Sequence, residues 1–296
     1  MKTADIKTGF LCNNNCIFCV QGEVKKGAGN KSTEKIKEIL KTASRDCDRV
    51  VFTGGEPTIR KDIIDLVRYA KKLGFKIIQI QTNGRMFAYK DFCEKIIKAG
   101  ANEFALALHG HTPQLHNYLT GSESFLQTIS GIKNLIKLKQ SVLTNTVINK
   151  SNYRHLPEIV KLLISLGIIQ PQLAFVHAAG EAGVNFDSVV PRVSLVMPYV
   201  KKSIEIGNHF GVKIMVEAIT PCFLGGMESH ISEKIIPRTK IFELNSVIKD
   251  YKKLRIEEAK SKGPNCKKCK LNNYCEGPWK EYPAKFGWDE FHPIKK

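Results

Sequence analysis

Short apolar runs alternate along the first two thirds of the chain with longer stretches whose apolar residues recur every three or four positions. This pattern predicts strands over 6–11, 49–52, 76–81, 103–108, 142–148 and 172–176. It predicts helices over 33–43, 62–73, 91–99, 124–138, 157–166 and 199–209, the first with Ser32 as N-cap. Strand and helix in strict alternation imply an α/β fold, with a parallel sheet and right-handed crossovers. Six such units suit a partial or full barrel, in which chemistry sits on the loops after the strands' C-terminal ends. A last regular strand falls in 212–217. Beyond it Pro221, Gly225-Gly226, Pro237 and Gly263-Pro264 break the rhythm. The chain is therefore expected to divide into a core over 1–217 and an appended region over 218–296.

Composition narrows the class. The chain has 296 residues, 43% of them hydrophobic, which is too apolar for a disordered chain. No secretory signal or membrane span is visible, so a cytoplasmic protein is expected. Nine cysteines in a reducing compartment point to metal binding or chemistry more than to a disulfide framework. The net charge of +18 is carried by lysines spread along many helices. It suits a solvated surface, and no nucleic-acid motif accompanies it.

The first cysteines lie directly after the first strand, as Cys12-x3-Cys16-x2-Cys19. Three thiolates on one loop with no fourth ligand nearby leave a coordination position open. That suits an iron–sulfur cluster that must bind something else; zinc, or buried thiols without a metal, are the alternatives. The second strand ends in Gly54-Gly55-Glu56-Pro57. Adjacent glycines let a backbone approach a ligand closely, and Glu56 can accept hydrogen bonds from a bound ammonium. The third strand ends in the polar turn Thr82-Asn83-Gly84.

In combination these features resemble the radical SAM superfamily. The Cys-x3-Cys-x2-Cys loop with Phe18 before its last cysteine is similar to that family's signature, and Gly54 to Pro57 to its methionine-binding turn. Leu108-His109-Gly110, Asn145-Thr146-Val147-Ile148 and Ala179-Gly180-Glu181-Ala182 look like its later strand endings. The resemblance implies a partial (β/α)6 barrel. It implies that Cys12, Cys16 and Cys19 hold a [4Fe-4S] cluster whose remaining iron chelates S-adenosylmethionine (SAM). Gly54, Gly55 and Glu56 would hold the methionine end, with Phe18, Asn83 and Asn145 as further cofactor contacts. The implied chemistry is reductive cleavage of SAM to a 5'-deoxyadenosyl radical that abstracts hydrogen from substrate. Many relatives carry Ser where this chain has Ala107.

A second set, Cys266-x2-Cys269-x5-Cys275 together with Cys222, makes four thiolates, enough to close a site. A structural zinc or an auxiliary [4Fe-4S] cluster would fit. The spacing resembles the SPASM/twitch extensions of radical SAM enzymes, which implies the cluster. Cys47 and Cys93 read as structural. Five lysines between Lys260 and Lys270, with no acid among them, read as a solvated run, a balance for the cluster, or an attraction for an anionic partner. His109, His111 and His116 gather after the fourth strand and are read as loop residues, with substrate contact or proton donation as the alternative.

The reading that follows is an oxidoreductase-like radical SAM enzyme acting on a peptide or protein, by oxidation or cross-linking, with a reductant such as flavodoxin or ferredoxin. The alternatives are a small-molecule dehydrogenase or cyclase of cofactor biosynthesis, an RNA-modifying enzyme resting on charge alone, or a non-enzymatic iron–sulfur electron carrier. The chain is similar in outline to the molybdenum-cofactor GTP cyclase, but the spacing of the second cysteine set differs.

Overall fold

The structure is a computed structural model that describes residues 2–22 and 29–295. Seven parallel strands follow one another in space as they do in sequence: β1 (Lys2–Lys7), β2 (Arg49–Thr53), β3 (Ile77–Thr82), β4 (Glu103–Ala107), β5 (Ser141–Ile148), β6 (Pro171–Phe175) and β7 (Met215–Glu217). Between them run α1 (Thr33–Ala43), α2 (Ile63–Lys72), α3 (Lys90–Ala99), α4 (Pro113–Thr120), α5 (Phe125–Lys137), α6 (Leu156–Ser165), two single turns, α7 (Glu181–Val184) and α8 (Phe186–Val189), and α9 (Val193–His209). The sheet stays open, with β7 at one edge and β1 extended by two later strands, β8 (Arg238–Phe242) and β9 (Val247–Ile248), in the order β7-β6-β5-β4-β3-β2-β1-β8-β9.

The period of two in each strand sorts the two sheet faces. In register across neighbouring strands, Ala4, Val50 and Ile78 form one row, and Ile6, Phe52, Ile80 and Phe104 another. All are fully buried. The helices bring residues spaced by three or four onto this face, such as Ile36 and Leu40 of α1, or Ile63, Leu66 and Val67 of α2. The other face is polar. There Arg49 pairs with Glu103, Gln79 donates to Glu103 at 2.6 Å, and Gln172 donates to Glu217 at 2.6 Å.

Three elements differ from the sequence pattern. The first strand occupies 2–7 and not 6–11, because Thr8 to Leu11 leave the ladder to line the turn after β2. Helix α9 starts at Val193 and runs through Pro198. Its first turns are held from outside: Val193 N–H donates to Tyr282 Oη at 2.8 Å and Ser194 N–H to Glu290 Oε2 at 3.0 Å. Helix α4, read as loop, is capped by Thr112 and opened by Pro113, a signal present in the sequence.

The appended region joins the same sheet. β8 (Arg238–Phe242) adds to β1 in parallel, and β9 (Val247–Ile248) folds back on it. Lys31 ties the ends of β1 and β8, donating from Nζ to the Lys7 carbonyl and, at 3.0 Å, to that of Phe242. Then come α10 (Tyr251–Leu254), continued by one π turn over Arg255–Ala259, and α11 (Glu281–Phe286). Among the described residues, no helix is long and apolar enough to cross a membrane.

Candidate functional site: two cysteine centres joined through the strand ends

The loop carrying Cys12, Cys16 and Cys19 is held by groups that follow four strands, β2, β3, β4 and β6. After β2, Gly55 N–H donates to the Gly9 carbonyl and Glu56 N–H to that of Leu11, both at 2.8 Å. After β3, Asn83 Nδ2 donates to Asn13 Oδ1 at 2.7 Å, and Arg85 donates to the Asn13 carbonyl and to Asn14 Oδ1. After β4, the Phe18 ring packs edge-on against His109 with centroids 4.7 Å apart, and α4 accepts from Asn15 N–H at the Thr120 carbonyl. Within β5, Val147 N–H donates to His109 Nδ1 at 3.2 Å and so orients the ring that packs on Phe18. After β6, Glu181 N–H donates to the Cys19 carbonyl at 2.9 Å.

The glycine turn after β2 tolerates no side chain. Gly54 has φ +121°, and a Cβ there would meet the Gly9 carbonyl oxygen at 2.2 Å; one at Gly55 would meet that of Leu11 at 2.3 Å. Glu56 is turned inward. Its carboxylate accepts from Thr58 N–H and Oγ1, from Thr82 Oγ1 at 2.8 Å and from Asn83 N–H at 2.7 Å. Burial raises its pKa against these four donors. Glu56 thus locks the β2 and β3 ends together, and Asn83 passes that restraint to the cysteine loop.

The histidines after β4 are built into the fold. His109 and His116 are buried, and burial lowers their pKa values to about 3 and about 4. Each Nδ1 accepts a backbone N–H, His109 from Val147 and His116 from His109. Both rings are neutral at neutral pH and orient backbone. Cys47 and Cys93 are buried thiols whose pKa burial pushes up to about 11.

The second centre is a cavity of about 430 Å³, its solvent-open mouth included, lined by Cys222, Cys266, Cys269 and Cys275. The sequence puts Cys222 44 residues before Cys266; the fold brings it to the other three. The thiols feel one another: after burial, Cys266 and Cys269 help raise Cys222, and Cys222 and Cys266 help raise Cys275. Behind the cavity lies a buried ion cluster. Arg255 grips Glu276 with two bonds of 2.9 and 2.7 Å, and Lys260 bridges Glu276 and Glu233 at 3.0 and 2.9 Å. Nothing in the sequence marked these partners, because they come from three separate segments, around 233, 255–260 and 276. Glu217, on the polar face of β7, completes the cluster; burial and then the Glu233 carboxylate push its pKa up to about 7.

Two features connect the centres. Trp279, four residues after Cys275, stacks on His177 with centroids 4.0 Å apart and planes 12° from parallel. His177 follows β6 and leads into Glu181, which holds Cys19.

Both centres fit an iron–sulfur group on three counts. The donors are thiols on backbone-braced loops. A sulfur in each accepts a backbone N–H from two residues on, Cys12 from Asn14 at 3.4 Å and Cys275 from Gly277 at 3.3 Å, which favours thiolate. The first loop also opens into a cavity lined by Phe10 to Asn15 and Gly121. On β5, in register with Ala107, Asn145 keeps a buried Oδ1 without a partner among the described residues. Among the described residues, no three His, Cys, Asp or Glu side chains gather tightly enough for a single metal ion.

The sequence profile described as the Radical SAM superfamily matches residues 6–163. The chain belongs to that superfamily, whose enzymes use SAM and a [4Fe-4S] cluster. Among curated proteins it is similar to a "Probable GTP 3',8-cyclase" of Saccharolobus islandicus (strain L.S.2.15 / Lassen #1). The two are 33% identical over 176 residues, which cover 57% of this chain and 55% of the relative. The chain thus spans about half the length of the curated relatives it matches. Among solved structures it is similar to Streptococcus suis SuiB bound to precursor peptide SuiA. That likeness has a TM-score of 0.69 and 18% identity, and covers 96% of this chain and 72% of SuiB. It is also similar to anSMEcpe with bound AdoMet and a Kp18Cys peptide, with a TM-score of 0.60 and 18% identity over 72% of this chain and 63% of the other. At these identities the solved structures show a shared fold.

Proposed function

We propose that Cys12, Cys16 and Cys19 hold a [4Fe-4S] cluster and that the chain oxidises or cross-links a peptide or protein at an unactivated carbon. When bound, the reduced cluster supplies the electron that cleaves SAM, and the resulting 5'-deoxyadenosyl radical takes a hydrogen atom from substrate. In this reading the backbone of Gly54 and Gly55 takes the methionine end of SAM, and Glu56 and Asn83 keep that backbone in place. Phe18 covers the loop against water, and Asn145 offers its unused Oδ1 to the cofactor. Cys222, Cys266, Cys269 and Cys275 hold a second, coordinatively closed [4Fe-4S] cluster; zinc is the alternative occupant. The core over 1–217 carries the radical chemistry, and 218–296 carries the auxiliary centre while completing the sheet through β8.

The observation that carries the radical reading is the convergence of the β2, β3, β4 and β6 endings on one three-cysteine loop. The peptide reading is supported by the likeness over nearly the whole chain to SuiB bound to precursor peptide SuiA. A second reading, a small-molecule cyclase, is favoured by the sequence similarity of the core to probable GTP 3',8-cyclases. The test is formation of 5'-deoxyadenosine by reconstituted enzyme under reducing anaerobic conditions. It is run with SAM and either GTP or a pool of small peptides from the source cells. Stimulation by the peptide pool, with a mass change in one peptide, supports the first reading. Stimulation by GTP alone overturns it in favour of the second.

A further inference from the structure

We infer that the lysine-rich face around the second cysteine centre is the docking surface for an acidic one-electron donor protein of the flavodoxin type, with the auxiliary centre as the point of electron entry. The inference rests on the reading of that centre as an iron–sulfur cluster.

Four observations carry it. First, the structure splits the lysine run. Lys260 is buried between Glu233 and Glu276, whereas Lys262, Lys267, Lys268 and Lys270 are exposed. Second, Lys267 and Lys268 lie between two of the cysteines that line the cavity, and Lys262 lines it directly. Cys266 and Cys269 are only half-buried, so a donor seated on these lysines comes close to the thiols. Third, Tyr274 stands 78% exposed one residue before Cys275, an aromatic anchor next to a cysteine of the centre. Fourth, among the described residues, those lining the cavity at the first centre carry no charged side chain. From the auxiliary centre inward, the Trp279–His177 stack and the bond from Glu181 to Cys19 give a continuous packed connection to the first loop.

The step is a single electron transfer: the donor's reduced flavin is oxidised by one electron and the auxiliary cluster is reduced by one, with no bond made or broken. Opposite charge would speed encounter, and salt would screen it.

The test uses the reconstituted full chain and reduced flavodoxin in anaerobic stopped flow, following flavin oxidation at rising salt. The variant is Lys267→Glu/Lys268→Glu. The control is Lys133→Glu/Lys137→Glu on α5, which changes net charge equally at exposed positions. The expected result is a loss of about tenfold or more in the second-order rate and a flatter salt dependence for the first pair. The control should change about twofold or less, and dithionite should reduce the clusters equally in all three proteins. Equal slowing of both pairs, or no slowing of either, overturns the docking surface. Iron content separates this from failure of the underlying reading: about four irons plus one zinc removes the electron acceptor and overturns the inference by that route.

Discussion

The Glu56 carboxylate accepts the Asn83 backbone N–H at 2.7 Å, and the Asn83 side chain in turn donates to Asn13 inside the first cysteine loop. A buried acid thereby sets the loop's position through one intermediary. Glu56→Gln keeps the shape but turns one acceptor into a donor that faces donors. It should cost about 1–3 kcal/mol of stability and weaken SAM binding. Denaturant midpoints and calorimetric SAM titration check this; unchanged values in both would refute the brace.

Gly55→Ala should be more severe than its small volume suggests. The added methyl meets backbone oxygen of Leu11, which cannot rotate away. The strand end and the cysteine loop must then separate, at about 2–4 kcal/mol. Iron incorporation at the first centre should fall with it, while the second centre fills normally. The comparison is iron content of this variant in a Cys266→Ala/Cys269→Ala background.

Much of this was legible in the sequence. The α/β alternation, the three-cysteine loop and the polar strand endings appear in the structure in the expected order, with β1 displaced to 2–7, because parallel strands buried under helices leave a strong apolar period. The join between the two regions was not legible. β8 reads Arg238-Thr239-Lys240-Ile241-Phe242, and its polar residues hide a strand that β1 recruits through a parallel backbone ladder. Helix α9 was shortened at Pro198, because its early start depends on Tyr282 and Glu290 from the far end of the chain. The ion cluster behind Cys275 had no local signature at all.

That cluster makes its own prediction. The side chains of Arg255 and Lys260 are 1% and 2% exposed and share Glu276. Glu276→Gln leaves two buried cations with only part of their compensation, and breaking such a pair costs about 3–5 kcal/mol. The appended region should loosen first, seen as faster amide exchange in 251–259 before any global unfolding. Equal exchange in wild type and variant would show that the cluster is not what fixes this region.

Glu217 gives a pH dependence. Folding raises its pKa from 4.5 to about 7, so the folded chain holds this proton more tightly than the unfolded one. Its contribution to stability is full below about pH 4.5, declines as pH rises, and is gone above about pH 7. The difference in unfolding free energy between wild type and Glu217→Gln should shift by roughly 1–3 kcal/mol between pH 5 and pH 8. A difference that stays constant with pH would place the titration elsewhere.

The most direct test of the account is iron and sulfide content with EPR on anaerobically reconstituted protein, with and without SAM. About eight irons per chain are predicted, with one reduced signal that SAM perturbs. That signal should vanish in the Cys12→Ala/Cys16→Ala/Cys19→Ala variant and survive in Cys266→Ala/Cys269→Ala. A reduced signal indifferent to SAM in every variant would contradict the assignment of the first loop as the cofactor site.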